Sequence, residues 1–384
     1  MNAIAIKMLL GDRAKYLGIL LGVTLTSFLI TQQGSIFVGI MSRTFGFIVD
    51  TSIADIWVMD EKVQFVDDSK PMQDTMLLRV RGVEGVDWAM PLYKSLLRAR
   101  LDDGNYQQCN VIGVDDTTLV GGPSRVIAGH LEDLRAQDAV IVDAVGAARR
   151  LAKIQPDGTR RPLGIGDTLE LNDSRAVVVG LCQTTRTFQS QPVVYTTYSR
   201  ATRFAPRERR MLTFILVKAK PGEALDELCA RIRETTGLAA YTGDEFSWMT
   251  VMYFIRNTGI PINFGTAVIL AFLVGTAIAG QQFYNFTHDN LRYLGALKAM
   301  GAGNLLLLRM VVLQALLVGL LAYGLGVGLA SAFGYAMRNT ELAFRLLPQQ
   351  LYTTGVVVLT VCALSAAVSM IKVVRLEPAV VFKN

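Results

Sequence analysis

Residues 258–287, TGIPINFGTAVILAFLVGTAIAGQQFYNFT, contain no Asp, Glu, Lys or Arg. A hydrocarbon core about 30 Å thick is crossed by about 20 apolar residues rising about 1.5 Å each as a helix, so this stretch spans it with a margin. Residues 16–41, 310–337 and 346–371 share the property. The first stands near the N-terminus and the others crowd the C-terminal third, with the mostly polar residues 42–257 between the first two. A composition of 51% hydrophobic residues and a mean hydropathy of +0.36 fit a mosaic of membrane and extramembrane parts. The expected architecture is a membrane protein with four transmembrane α-helices in a 1+3 arrangement. A large α+β domain of two lobes is inserted between helices 1 and 2.

Four crossings return the chain to the side on which it began. That side carries Lys7, Arg13, Lys15, Arg292, Lys298, Arg309, Lys372, Arg375 and Lys383 against Asp12, Asp289 and Glu377. The excess of basic residues in short flanks places it in the cytoplasm. The expected order is a cytoplasmic amphipathic helix at 1–15, helix 1 at 16–41, the outward domain at 42–257 and helix 2 at 258–287. A cytoplasmic helix at 288–303, helix 3 at 304–337, an external hairpin at 338–345, helix 4 at 346–371 and a cytoplasmic tail at 372–384 complete it. The first apolar stretch exceeds the usual 7–15 residues of a signal-peptide core, and no small-residue cleavage site follows it, so it is expected to remain. The net charge of +6 is divided among flanks and scattered sites, without a basic run interleaved with aromatics, which argues against nucleic acid. Cys109, Cys182 and Cys229 in the outward domain allow at most one disulfide among themselves, and buried free thiols fit as well.

Within the outward domain, residues 53–65 alternate as a strand does, and residues 73–81 form a helix closed by Gly82. Strands are expected at 86–92, 96–101, 107–114 and 139–143, a helix at 144–152, and a hairpin from 167–171 and 176–182. A strand at 213–218 and an amphipathic helix at 224–235, with Leu225, Leu228, Cys229 and Ile232 inward, resume the first motif. One lobe is therefore expected at 52–118 plus 211–246, with a second inserted at 119–210. His130 is the only histidine in this domain, and the pairs Asp67-Asp68, Asp102-Asp103 and Asp115-Asp116 lack calcium-loop spacing. No catalytic residue, metal or cofactor is expected.

The most specific local signal is Asn290-Leu291-Arg292-Tyr293-Leu294-Gly295-Ala296-Leu297-Lys298-Ala299-Met300-Gly301. Asp289 or Asn290 can cap a helix there and Gly301 can close it, while Tyr293, Leu294, Leu297 and Met300 fall on one side. On residues alone this is an interfacial helix joining two spans.

Residues 294–302, LGALKAMGA, resemble the "iGilkAlGas" signature of the FtsX-like permease family, and Val374-Arg375-Leu376-Glu377-Pro378-Ala379 resembles its terminal motif. The 1+3 layout is similar throughout, and the nearest likeness is to the DevC-like permeases, related to the macrolide exporter and the lipoprotein-release complexes. The resemblance implies a non-catalytic permease subunit of an ABC-type exporter in the bacterial inner membrane, with Asn290–Gly301 as a coupling helix seated on a separate ATPase subunit. A second permease copy, a periplasmic adaptor and an outer-membrane channel are implied as partners. The 384 residues hold no Gly-Lys pair and so no Walker A cradle, which puts hydrolysis in a partner. No ionisable residue interrupts the four apolar stretches, unlike an ion-coupled carrier. Lipoprotein release, or a scaffold that signals to a periplasmic enzyme, are the alternatives. Gly18 and Gly22, and Ala271, Gly275 and Ala279, recur every four residues. The resemblance implies dimer contacts there, and packing within one chain fits equally; Gly324 and Gly328 fit packing within one chain better.

Overall fold

The computed structural model describes residues 2–11, 13–155, 158–206 and 211–374. Asp12, Arg375, Glu377 and Lys383, with the terminal motif beyond Val374, lie outside them. The chain begins with α1 (Asn2–Gly11), α2 (Arg13–Thr44) and α3 (Gly46–Asp50). Then come β1 (Ile56–Met59), α4 (Thr75–Arg81), β2 (Val86–Arg100), β3 (Tyr106–Val114), β4 (Arg125–Ala128) and a 3-10 turn (Leu131–Arg135). They are followed by β5 (Ala139–Asp143), α5 (Ala144–Ala148), β6 (Lys153–Ile154), β7 (Arg160–Arg161), β8 (Thr168–Leu171), β9 (Ser174–Gln183), β10 (Val193–Thr197) and α6 (Tyr198–Phe204). Next are β11 (Phe214–Ala219), α7 (Leu225–Thr236), β12 (Ala239–Thr242), α8 (Gly243–Asn257), α9 (Ile260–Asp289), α10 (Leu291–Ala299), α11 (Asn304–Ala336) and α12 (Pro348–Val374). These elements make two compact units, Met1–Ile40 with Gly259–Asn384, and Met41–Thr258.

In the first unit α2, α9, α11 and residues 348–369 of α12 are long and apolar enough to cross a membrane. Small residues bring their backbones close. The side chain of Thr26 fills the space that a Cβ on Gly275 would need, and a Cβ on Gly326 would stand 2.8 Å from the Phe28 amide nitrogen. Gly39 lies directly against the backbone of Ala343. Gln350 Nε2 donates to the Thr31 carbonyl at 2.8 Å and to Ser35 Oγ at 3.0 Å, tying α12 to α2. α1, within the helix expected at 1–15, packs one side onto the bundle and leaves Ile6 and Lys7 exposed. Ala5 and Leu9 of α1 are buried in one cluster with Phe283, Phe286, Leu307 and Met310, and Gln314 Nε2 donates to the Ala5 carbonyl at 2.7 Å.

The second unit is built on one ten-stranded sheet in the order β12-β1-β11-β2-β3-β10-β5-β9-β4, with β8 pairing β2 and β9. The two strands expected at 86–92 and 96–101 are one: β2 pairs with β11 through Leu92 and with β3 from Tyr93 onward. Its middle holds because the Lys94 amide donates to Thr213 Oγ1 at 3.2 Å, and the buried Lys94 ammonium pairs with Asp67 and lies 5.5 Å from the Phe47 ring centroid. Only Ile56–Met59 of the expected strand 53–65 pairs. Past it the chain turns, with Asp60 accepting the Lys62 amide and Asp68 the Gln64 amide. The helix expected at 144–152 ends at Ala148, where the Leu151 amide folds back onto the Gly146 carbonyl. The helices begun at Thr75 and Leu225 and the β8–β9 hairpin follow the expected pattern, with Leu228, Cys229 and Ile232 buried. All four cysteines are free and buried.

Asp143 caps α5, accepting from the Gly146 amide at 2.7 Å and the Val193 amide at 2.6 Å. Burial pushes its carboxyl above the ordinary 3.8 despite those donors. A raised carboxyl favours the folded state below that ordinary value, and the contribution is lost as pH rises through the raised one. Asp143→Asn should flatten the fall in thermal midpoint over that rise, as scanning calorimetry at stepped pH would read. In the membrane unit, Gly326→Leu should cost about 1–3 kcal/mol by overpacking against Phe28. Gly324→Leu, where nothing stands within 4 Å of the added carbon, should stay within about 0.5 kcal/mol in detergent-solubilised protein.

Candidate functional site

Asn290 is where α9 ends and α10 begins. Its backbone carbonyl accepts the Leu294 amide at 3.0 Å, the first bond of α10. Its side chain does not cap α10 but donates from Nδ2 to the Phe286 carbonyl at 2.8 Å, which also accepts the Asn290 amide at 3.2 Å. Asp289 pairs with Lys15 at the start of α2, and His288 Nδ1 lies 3.6 Å from it. The far end closes as a Schellman motif. Gly301 takes φ +97°, its amide donates to the Lys298 carbonyl at 3.1 Å, and the Ala302 amide donates to the Leu297 carbonyl at 3.0 Å. Leu297 and Ala302 pack against the bundle core together, the apolar contact that accompanies this closure.

The side expected to carry Tyr293, Leu294, Leu297 and Met300 divides in two. Leu294 is 3% exposed and joins the bundle cluster with Leu291 and Leu297 beside it, and Gly295 is buried as well. Tyr293 is 66% and Met300 76% exposed, with Arg292 and Ala299 also exposed and Ala296 and Lys298 half-buried. A helix seated by Leu294 therefore presents an apolar ridge of Tyr293, Ala296 and Met300 edged by Arg292.

The small-residue positions divide differently. A Cβ on Gly22 would meet the Ile278 side chain at 2.7 Å and one on Gly18 the Gln282 side chain at 3.5 Å, while Gly275 faces Thr26. Ala271, Gly275, Ala279 and Phe283 form the buried stripe of α9. These glycines thus serve the contact of α2 with α9 inside the chain. Gly324 and Gly328, expected to pack internally, have open space where a Cβ would sit.

The second unit carries the helices that adjoin the first two spans in sequence, α3 and α8. Trp57 of β1 meets Phe47 edge-on at 5.8 Å, Phe214 edge-on at 5.6 Å and Phe246 of α8 at 5.7 Å. This aromatic knot welds α3 and α8 to the sheet, and sequence reasoning missed it together with α8. A local signal for α8 was present in Thr242 and Glu245, a capping box in which the Glu245 amide donates to Thr242 Oγ1 at 3.2 Å and the Thr242 amide to Glu245 Oε2 at 2.9 Å.

The remaining polar candidates are turn elements. The His130 ring is largely exposed and its amide donates to Asp133 at 2.8 Å; Asp115 accepts the Thr117 and Thr118 amides; Asp103 holds Asn105. Among the described residues no group of three or more His, Cys, Asp or Glu could hold a metal ion.

The model of the MacB-like periplasmic core domain matches residues 17–235, and that of the FtsX-like permease C-terminal region matches residues 263–378. No curated protein matches the sequence. Among solved structures, the extracellular domain of the noncanonic ABC-type transporter YknZ from Gram-positive bacteria is 11% identical, with 49% of this chain and 98% of that one covered at a TM-score of 0.35. The periplasmic region of MacB from Actinobacillus actinomycetemcomitans is 14% identical, with 55% and 96% covered at 0.36.

The division of α10 has a direct check. Leu294→Asp should destabilise the purified protein by about 3 kcal/mol or more through an unpaired buried charge. Tyr293→Asp should leave the thermal midpoint within about 0.5 kcal/mol of the unaltered chain.

Proposed function

The chain belongs to the FtsX-like permease family with a MacB-like periplasmic core, the multi-pass membrane subunits of ABC-type transporters, and on that premise we propose that it couples a separate ATPase to motion of its periplasmic domain. The observation that carries this reading is the ridge of Tyr293, Ala296 and Met300 on a helix whose other side is locked into the bundle by Leu294 and Gly295. A partner that grips the ridge cannot move α10 alone, because moving it drags Leu294 and with it Phe283, Phe286 and Leu307. Residues 290–301 are the coupling element, and α9, a rod of about 45 Å, carries the displacement. The 384 residues hold no Gly-Lys pair, so the nucleotide cradle lies outside them.

In this reading both termini and α10 face the cytoplasm and residues 42–257 face the periplasm, as the basic flanks favour. Two permease copies assemble, and α9, the least enclosed of the four spans, turns Ile269, Leu270, Leu273 and Val274 outward where a second copy or lipid covers them. Cargo leaves through a periplasmic adaptor and an outer-membrane channel, driven by the moving outer domains.

Tyr293→Asp combined with Met300→Asp should lower recovery of the ATPase subunit on a tagged permease by about tenfold or more, the loss of a two-anchor hot spot, at unchanged permease yield. Retention of the ATPase by that double variant sinks the coupling role. Orientation is read separately: a membrane-impermeant maleimide on intact spheroplasts should label Ile165→Cys and spare Tyr293→Cys, and the reverse pattern overturns the topology.

A further inference from the structure

Residues 184–192 join β9 to β10, and on the way they reach both α3 and α8. Thr185 donates its amide to Asp50 Oδ2 at 2.7 Å and its hydroxyl to Asp50 Oδ1 at 2.8 Å, engaging both carboxylate oxygens on α3. One turn earlier, a Cβ on Gly46 would stand 2.5 Å from Thr185 Cγ2, so the approach requires glycine there. Three residues on, the Phe188 ring lies 4.9 Å from that of Phe254 on α8, which in turn meets Phe65 edge-on at 5.5 Å. Both contacts are specific, and each falls on a different helix.

The loop is also stiff and anchored behind. The Gln191 amide donates to Thr187 Oγ1 at 2.9 Å and the Ser190 amide to the Thr187 carbonyl at 2.9 Å, a closed turn in which Ser190 takes φ +52°. Beyond it the Val193 amide is held by the buried Asp143, and Gln191 Nε2 reaches Gln108 Oε1 on β3 at 3.3 Å. A loop that merely connected strands would run over the surface without such partners.

Sheet topology gives the link a purpose. β5, β9 and β4 join the remainder of the sheet through β10, which pairs with β3, and through the short β8, which meets β2 at Ala99 and Arg100. Ile141 and Cys182 of that part also share one apolar core with Ile48 of α3 and Phe246 of α8, and the contacts of Thr185 and Phe188 add a separate polar and aromatic attachment to the same two helices. We propose that residues 184–192 are a strap that makes the β5–β9–β4 part follow α3 and α8, so that displacement of those helices reaches it without loss at the seam that β10 and β8 form. The strap rests on the mechanical reading of the preceding section for what moves it, though its rigidity can be measured without that reading.

The full chain in nanodiscs, spin-labelled at Asp244→Cys on α8 and Ile165→Cys in the strapped part, should give one narrow distance by pulsed electron resonance. Asp50→Ala with Phe188→Ala should broaden that distribution about twofold as the seam is freed to flex. A control pair at Ile127→Cys and Ile165→Cys should keep its width, showing that the part remains folded. A distribution equally narrow in the double variant overturns the strap. In the complex recovered with its own ATPase subunit, ATP with vanadate should shift the distance between Ile165→Cys labels of two copies when the strap is intact and at most half as far when it is cut. An equal shift in both overturns transmission by the strap. No shift with the strap intact, despite the narrow Asp244–Ile165 distance, overturns the mechanical reading and the transmitting role with it.

Discussion

Helices inside hydrocarbon gain little by hiding apolar side chains from one another, so the membrane unit depends on how closely its backbones approach and on hydrogen bonds that cross between helices. α2 is where these meet. Thr26 enters the space left by Gly275, Ser27 abuts Gly326, and Gly39 abuts the segment before α12. Hydroxyls that would be orphaned in such a setting turn back onto their own helix, as Thr31 Oγ1 does onto the Ser27 carbonyl at 2.7 Å. Gln350 then fixes the register of α12 on α2 through Thr31 and Ser35. A substitution that separates these backbones removes contacts on several helices at once.

One or two residues separate several of the successive helices. Phe45 separates α2 from α3, Thr258 and Gly259 separate α8 from α9, and Asn290 alone separates α9 from α10. In the second unit the Trp57 knot leaves α3 and α8 little independence from the sheet.

The four spans were legible because length and absence of charge suffice to find a helix that crosses hydrocarbon, whatever its neighbours do. The existence of α10 was legible from Gly301 and the period of its apolar residues. Its inward side was not, because Tyr293 and Leu294 are adjacent and both apolar, and only the cluster around Phe283 and Leu307 decides that Leu294 is the one enclosed. β2 read as two strands because Lys94 and Ser95 look like an interruption; Asp67, Thr213 and Phe47, distant in sequence, make a buried lysine tolerable. The partners of Gly18, Gly22 and Gly275 were hidden for the same reason, since spacing identifies a face that permits close approach and says nothing of what approaches.

The placement of the cysteines carries a consequence for how the domain is held together. Cys109, Cys182 and Cys229 belong to three separate apolar clusters of the second unit. Burial lifts all three thiols above their usual range, that of Cys229 to about 11. Once folded, the domain offers oxidants almost no thiolate, and no two of these sulfurs share a core in which to join. The folded domain therefore holds its three cores together without a disulfide among these cysteines.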